Sequence, residues 1–191
     1  MLDEVVRLPK RSPQHDELVR ALRAAAQLHV VVTDLEPVPV RVTATTSESG
    51  AYRFRNAEPV DIRVSRIGRP ISLGFLHELA HLVDHQLGWA SETHTAFARW
   101  RARVDRLERR EIESARRRRY FHSPREFWAR TYAQTALMRS GDELLLRRLA
   151  ALQSVDDEHV WPSDTFMPVA LEVERTLERL GLTAFPLPLA A

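Results

Sequence analysis

The segment 71–87 constrains this chain most, because it is apolar along nearly its whole length yet carries His77, Glu78 and His81. Phe75, Leu76, Leu79, Leu82 and Val83 surround those three residues, and Gly88 stops the run. An apolar surface on all sides marks a buried helix. Two imidazoles and a carboxylate inside one destabilise it unless they are hydrogen-bonded, paired or bound to a metal. On a helix, positions i and i+4 share one face. His77 and His81 therefore point at a single ion, with Glu78 flanking it. His77-Glu78-Leu79-Ala80-His81 is the pattern in which two histidines hold zinc and the glutamate is general base toward a metal-activated water. The plainer alternative is a pair of hydrogen-bonded core histidines.

Composition narrows the chemistry. The 191 residues include no cysteine, so disulfides, thiolate ligands and a cysteine nucleophile are excluded, and a metal must use His, Asp or Glu. The apolar fraction of 44% and charged fraction of 28% are those of an ordinary globule. The length suits a single domain, 1–191. No basic region followed by an apolar run opens the sequence, and no stretch approaches bilayer-spanning length. A cytoplasmic protein without a membrane partner is expected. Net charge is only +2 although the pI is about 9.5, and Lys10 is the only lysine among 28 basic residues.

Periodicity predicts an amphipathic helix over 14–28, then β-branched strand-like runs at 29–33 and 40–45. Two antiparallel strands, 51–56 and 60–65, follow around Asn56-Ala57-Glu58-Pro59. From Pro70 on the pattern is helical: 71–87, a long helix over 92–116, and helices starting at Ser123-Pro124, at Gly141-Asp142 and at Ser163 or Asp164. The tail 185–189 reads as extended. Helix, small sheet, then helices is an α+β layout with segregated elements, not a doubly wound one. The expected division is 1–66 for helix and sheet, 67–182 for the helical half and 183–191 for the tail.

Three neighbours of the motif need assignment. His85 continues the 77, 81 stripe, but it lies about 12 Å from His77 along the helix axis at 1.5 Å per residue, too far to share one ion. Asp84 reads either as a carboxylate that orients His81 through its second ring nitrogen or as an exposed helix charge. A third histidine ligand six residues past His81 is ruled out, since Leu87 stands there. The remaining plan is a later glutamate. Glu126 is the best candidate, with Glu92, Glu108, Glu111 and Glu113 of the long charged helix as rivals that read as solvated. Yet Ser123-Pro124-Arg125-Glu126 is equally a capping box, with Glu126 reaching back to the helix start.

The two motifs together, His-Glu-x-x-His-x-x-Asp and the downstream 120–130 stretch Tyr-Phe-His-Ser-Pro-Arg-Glu-Phe-Trp-Ala-Arg, resemble the minimal gluzincin-type zinc metallopeptidases of phage and mobile-element genes. Their site plan is that of the anthrax lethal factor catalytic domain. The resemblance covers roughly 50–182, and the closing run from Trp161 to Phe166 shares it. It implies a zincin-like fold with a small, mostly antiparallel sheet ahead of a helical half carrying the active-site helix. It implies one zinc ion on His77, His81 and Glu126, an endopeptidase reaction on a protein or peptide substrate, and Glu78 as general base. Tyr120 is the expected stabiliser of the tetrahedral oxyanion, with Tyr132 as fallback. By the same implication Ile62, Arg63, Val64 and Ser65 form a substrate-binding edge strand. The chain departs from the family at Ala80, where glycine is usual, and at Arg130, where the lethal-factor pattern is acidic and where a salt bridge to Glu126 would compete with ligation.

Arg116, Arg117, Arg118 and Arg119 form the densest local charge. They read as the basic end of a helix, with nucleic acid or an acidic substrate as the second reading. Two further functional readings stand beside the peptidase: a toxin-like module that keeps its metal with little or no turnover, and a DNA-associated protein tethered by these arginines.

Overall fold

Helix α2, His15–Leu28, has the apolar stripe its periodicity predicts, and it buries Leu18, Ala21, Leu22, Ala24, Ala25 and Leu28. In the computed structural model, which describes residues 2–30, 37–45, 49–104 and 115–183, this stripe packs on two later helices. They are α3, Ile71–Gln86, and α7, Pro124–Arg139. A short helix α1, Leu2–Val5, and a two-residue strand β1, Val6–Arg7, precede α2.

The sheet has the order β1-β2-β4-β3, with β2 at Val38–Thr43, β3 at Gly50–Arg55 and β4 at Glu58–Ser65. Among the described strands β1 pairs with β2 in parallel, β2 with β4 in parallel, and only β3 with β4 antiparallel. The sheet is therefore mixed, which corrects the expectation of a mostly antiparallel one. The reason is connectivity. Helix α2 is the crossover that makes β1 and β2 parallel, and a two-residue strand leaves no periodic signal. The hairpin β3–β4 is tight: Asn56 and Ala57 form its loop with φ of 52° and 63°, the left-handed pair of a two-residue hairpin turn. The strand expected at 29–33 is not found at its described end. His29 is extended at the end of α2, and the Val30 N–H donates to the Leu182 carbonyl at 2.7 Å; residues 31–33 lie outside the described residues.

The second half is helical as expected. The long helix expected over 92–116 is divided, with α4 at Ala90–Thr93, α5 at Thr95–Val104 and α6 at Ala115–Phe121; 105–114 lie outside the described residues. Trp89, at φ 58°, turns the chain into α4. Helix α7 is buried from Phe127 through Leu137. Its Trp128 meets Phe97 and Trp100 edge-on at 4.7 and 5.7 Å. Helix α8, Glu143–Ser154, is capped by Asp142, which accepts from the Leu144 and Leu145 N–H groups. Helix α9, Ser163–Arg179, closes the body against α5 and α7. The tail 185–189 lies outside the described residues. Among these residues no helix is long and apolar enough to cross a membrane.

Candidate metal centre

Helices α3 and α7 are in direct contact, and the candidate ligands face each other across that contact. One turn of α3 places Nε2 of His77 and Nε2 of His81 3.2 Å apart. From the first turn of α7, Glu126 brings Oε2 to 3.2 Å from His77 Nε2 and Oε1 to 3.4 Å from His81 Nε2. These three residues are a group whose donor atoms can hold one metal ion. Tetrahedral ligands at zinc bond lengths near 2.05 Å are separated by about 3.3 Å, so the spacing fits. Two further features fit a cation. Oε2 of Glu126 is buried without a well-formed hydrogen bond. Two ring nitrogens that face each other and a carboxylate also present more lone pairs than protons.

Burial pushes the Glu126 carboxyl up, but the close approach of His77 and His81 outweighs this and holds it well below the usual range. For His81, burial opposes charge, and the Glu126 hydrogen bond with the nearby carboxylates turns the balance upward.

The capping alternative for Glu126 is not realised. Ser123 makes no side-chain cap, and its N–H donates to the Tyr120 carbonyl at 3.0 Å. Pro124 starts the helix, so the first turn aims Glu126 at α3. Arg130, the feared competitor, is buried and donates to the carbonyls of Phe121 and Glu158.

Glu78 lies on the same helix, 6% exposed. Its Oε2 accepts the main-chain N–H of Tyr52 on β3 at 2.6 Å. Burial is the main cause that pushes its carboxyl up, against the pull of His77, His81 and the Tyr52 N–H. A carboxyl raised in this way is a better proton acceptor near neutral pH than an exposed one.

All of these groups open onto one cavity of about 700 Å³ between β3, α3 and α7. Tyr120, at the end of α6, lines it and is 52% exposed. Burial first, and then the charge of Glu126, push its phenol up, so it stays protonated. Tyr132, the fallback, is unsuitable. It is wholly buried and hydrogen-bonds His29 Nε2 at 2.5 Å.

Two expected roles change. Ile62, Arg63, Val64 and Ser65 are not an edge, because β4 pairs with β2 on one side and β3 on the other. The edge beside the cavity is β3, whose Gly50, Ala51, Tyr52 and Phe54 line it. Hairpin order in sequence does not reveal which strand lies outside. Asp84 is neither exposed nor hydrogen-bonded to His81: its oxygens accept from Ser91 N–H at 2.7 Å and Ser91 Oγ at 2.5 Å. It anchors the turn from α3 into α4.

His85 is no ligand, as its distance along the helix implies. Its Nδ1 is 2.5 Å from the Tyr52 hydroxyl, and its ring stacks on Trp89. Phe54 joins this aromatic group, and the Arg125 guanidinium lies 3.5 Å from the Trp89 ring centre. None of Tyr52, Phe54, Trp89 or Arg125 was identifiable as a site residue from local pattern, because long-range pairing brings them to the cavity. Arg116, Arg117 and Arg119 are exposed, and Arg117 pairs with Glu158 at the cavity wall. The Arg118 side chain lies outside the described residues.

No family model matches the chain, and no curated protein or solved structure matches it either.

Proposed function

We propose that this protein is a zinc-dependent metallopeptidase that hydrolyses peptide bonds of a protein substrate. The observation that carries this reading is the convergence of His77, His81 and Glu126 on one point with Glu78 beside it, inside an open cavity. A bound zinc ion supplies Lewis acidity and lowers the pKa of water to about 7.

The residues then divide the work. Glu78, held at Oε2 by the Tyr52 N–H, takes the proton of the attacking water and returns it to the leaving amine nitrogen. Tyr120 donates its phenol proton in a hydrogen bond to the carbonyl oxygen as that oxygen gains charge. The exposed side of β3 lies along the cavity, where an extended substrate can run beside it.

The test is metal analysis and peptide cleavage on protein purified without chelator. The reading expects one zinc per chain and cleavage that a Glu78→Gln variant loses by about a hundredfold or more while keeping its zinc. A wild type that takes up no zinc when offered it, or that cleaves no better than Glu78→Gln when loaded, overturns it. Equal zinc in both without cleavage favours the binding-module reading.

A further inference from the structure

Glycine is rare inside a strand unless something approaches its backbone closely. Gly50 opens β3 at such a place. A Cβ built on it lies 2.8 Å from both Cγ and Oε1 of Glu78 and 3.0 Å from the Arg63 carbonyl. Two residues on, the Tyr52 N–H meets Oε2 of the same carboxylate at 2.6 Å. The pairing explains why that N–H is available. The Ser65 N–H donates to the Ser49 carbonyl, and in an antiparallel ladder bonded and non-bonded pairs alternate. Tyr52, opposite Ile62, falls in a non-bonded pair, so its N–H points out of the sheet toward α3. On α3, Gly74 admits the strand: a Cβ there meets the Ser49 carbonyl at 3.1 Å.

From this we infer that Gly50 and the Tyr52 N–H form a clamp that positions Glu78. Gly50 supplies the clearance, and Tyr52 supplies the hydrogen bond. Gly50 is a positioning residue whose role is set by what it lacks. A side chain at 50 forces the Glu78 carboxylate off the Tyr52 N–H, and with it the base away from its reaction geometry. Misplacement of a reacting group by about 1 Å costs about a hundredfold in rate. The clamp as a contact stands on the geometry alone; its catalytic consequence rests on the peptidase reading above.

The experiment is a double-mutant cycle between Gly50→Ala and Glu78→Ala, read in two ways on zinc-loaded full-length chain. By thermal unfolding, Gly50→Ala lowers Tm in the wild-type background and loses most of that effect in the Glu78→Ala background, where the clashing atoms are gone. By kinetics, Gly50→Ala lowers kcat about a hundredfold with KM and zinc stoichiometry unchanged, and adds nothing to the loss in Glu78→Ala. An equal Tm cost of Gly50→Ala in both backgrounds overturns the clamp, since the strain then lies with the Arg63 carbonyl. Full kcat in a folded Gly50→Ala protein also overturns it. Thermal coupling in a zinc-loaded wild type that cleaves nothing leaves the contact standing and overturns the peptidase reading instead.

Discussion

Glu126 Oε2 stands 3.2 Å from His77 Nε2, on a helix that begins well over thirty residues after the one carrying the histidine. This single approach separates the two roles that the sequence allows for Glu126. A capping residue turns back toward Ser123, whereas this carboxylate turns across the α3–α7 contact and is left with an unsatisfied buried oxygen. A cation in that position satisfies it.

Zinc should therefore stabilise the folded chain. At a hundredfold excess over Kd the gain is about 2.7 kcal/mol, or about 5–10 °C in Tm for a chain of this size. Differential scanning fluorimetry with and without zinc checks this. His77→Ala and Glu126→Ala are expected to lose the shift. A shift that persists in both places the metal elsewhere.

Tyr120 and Tyr132 should behave oppositely. Tyr120→Phe lowers kcat about a hundredfold with zinc content and Tm unchanged, because its ring is half-exposed at the cavity. Tyr132→Phe breaks the buried contact with His29 and costs about 1 kcal/mol of stability, with kcat unchanged. Steady-state kinetics and urea unfolding on both variants separate the roles.

Asp84→Ala is expected to destabilise the fold by about 3 kcal/mol, because both polar groups of Ser91 lose a charged partner. Ser91→Ala removes one of the two bonds and costs about half as much. Zinc affinity stays constant in both. A tenfold or greater loss of affinity in Asp84→Ala, measured by competition with a chelating dye, would instead tie Asp84 to His81.

Acid should weaken the protein through His29. Burial lowers its imidazole from the ordinary 6.5 to about 4, since the interior disfavours the charged ring. The unfolded chain takes up this proton first as pH falls. Stability from His29 is thus complete above pH 6.5 and is lost between pH 6.5 and 4, by about 3 kcal/mol. The difference between wild type and His29→Gln in pH-dependent urea unfolding isolates it from other groups.

Local patterns made α2, α3, α7, α8, α9 and the His-Glu-x-x-His turn legible, but not α1 or the division of the 92–116 run into α4, α5 and α6. Apolar spacing predicts α2 and α3 to within a residue or two, and Ser123-Pro124 predicts the start of α7. What local patterns do not carry is pairing over distance. Val40 lies beside Ile62 in parallel because a short β1 and the α2 crossover set the direction of β2, and neither leaves a mark near Ile62. For the same reason the edge strand is β3, and the Tyr52–Glu78 bond was not foreseen. Gly50 carries no local mark of its role. Its tight fit against Glu78 depends on a helix that comes later in the chain.

The contact between α3 and α7 also sets an order of events during synthesis. His77 and His81 emerge well before Glu126, with α4, α5 and α6 between them. An unfinished chain presents two ligands without the third. Only after α7 has docked are all three candidate ligands brought together, so a nascent or partly unfolded chain lacks the complete metal-binding group.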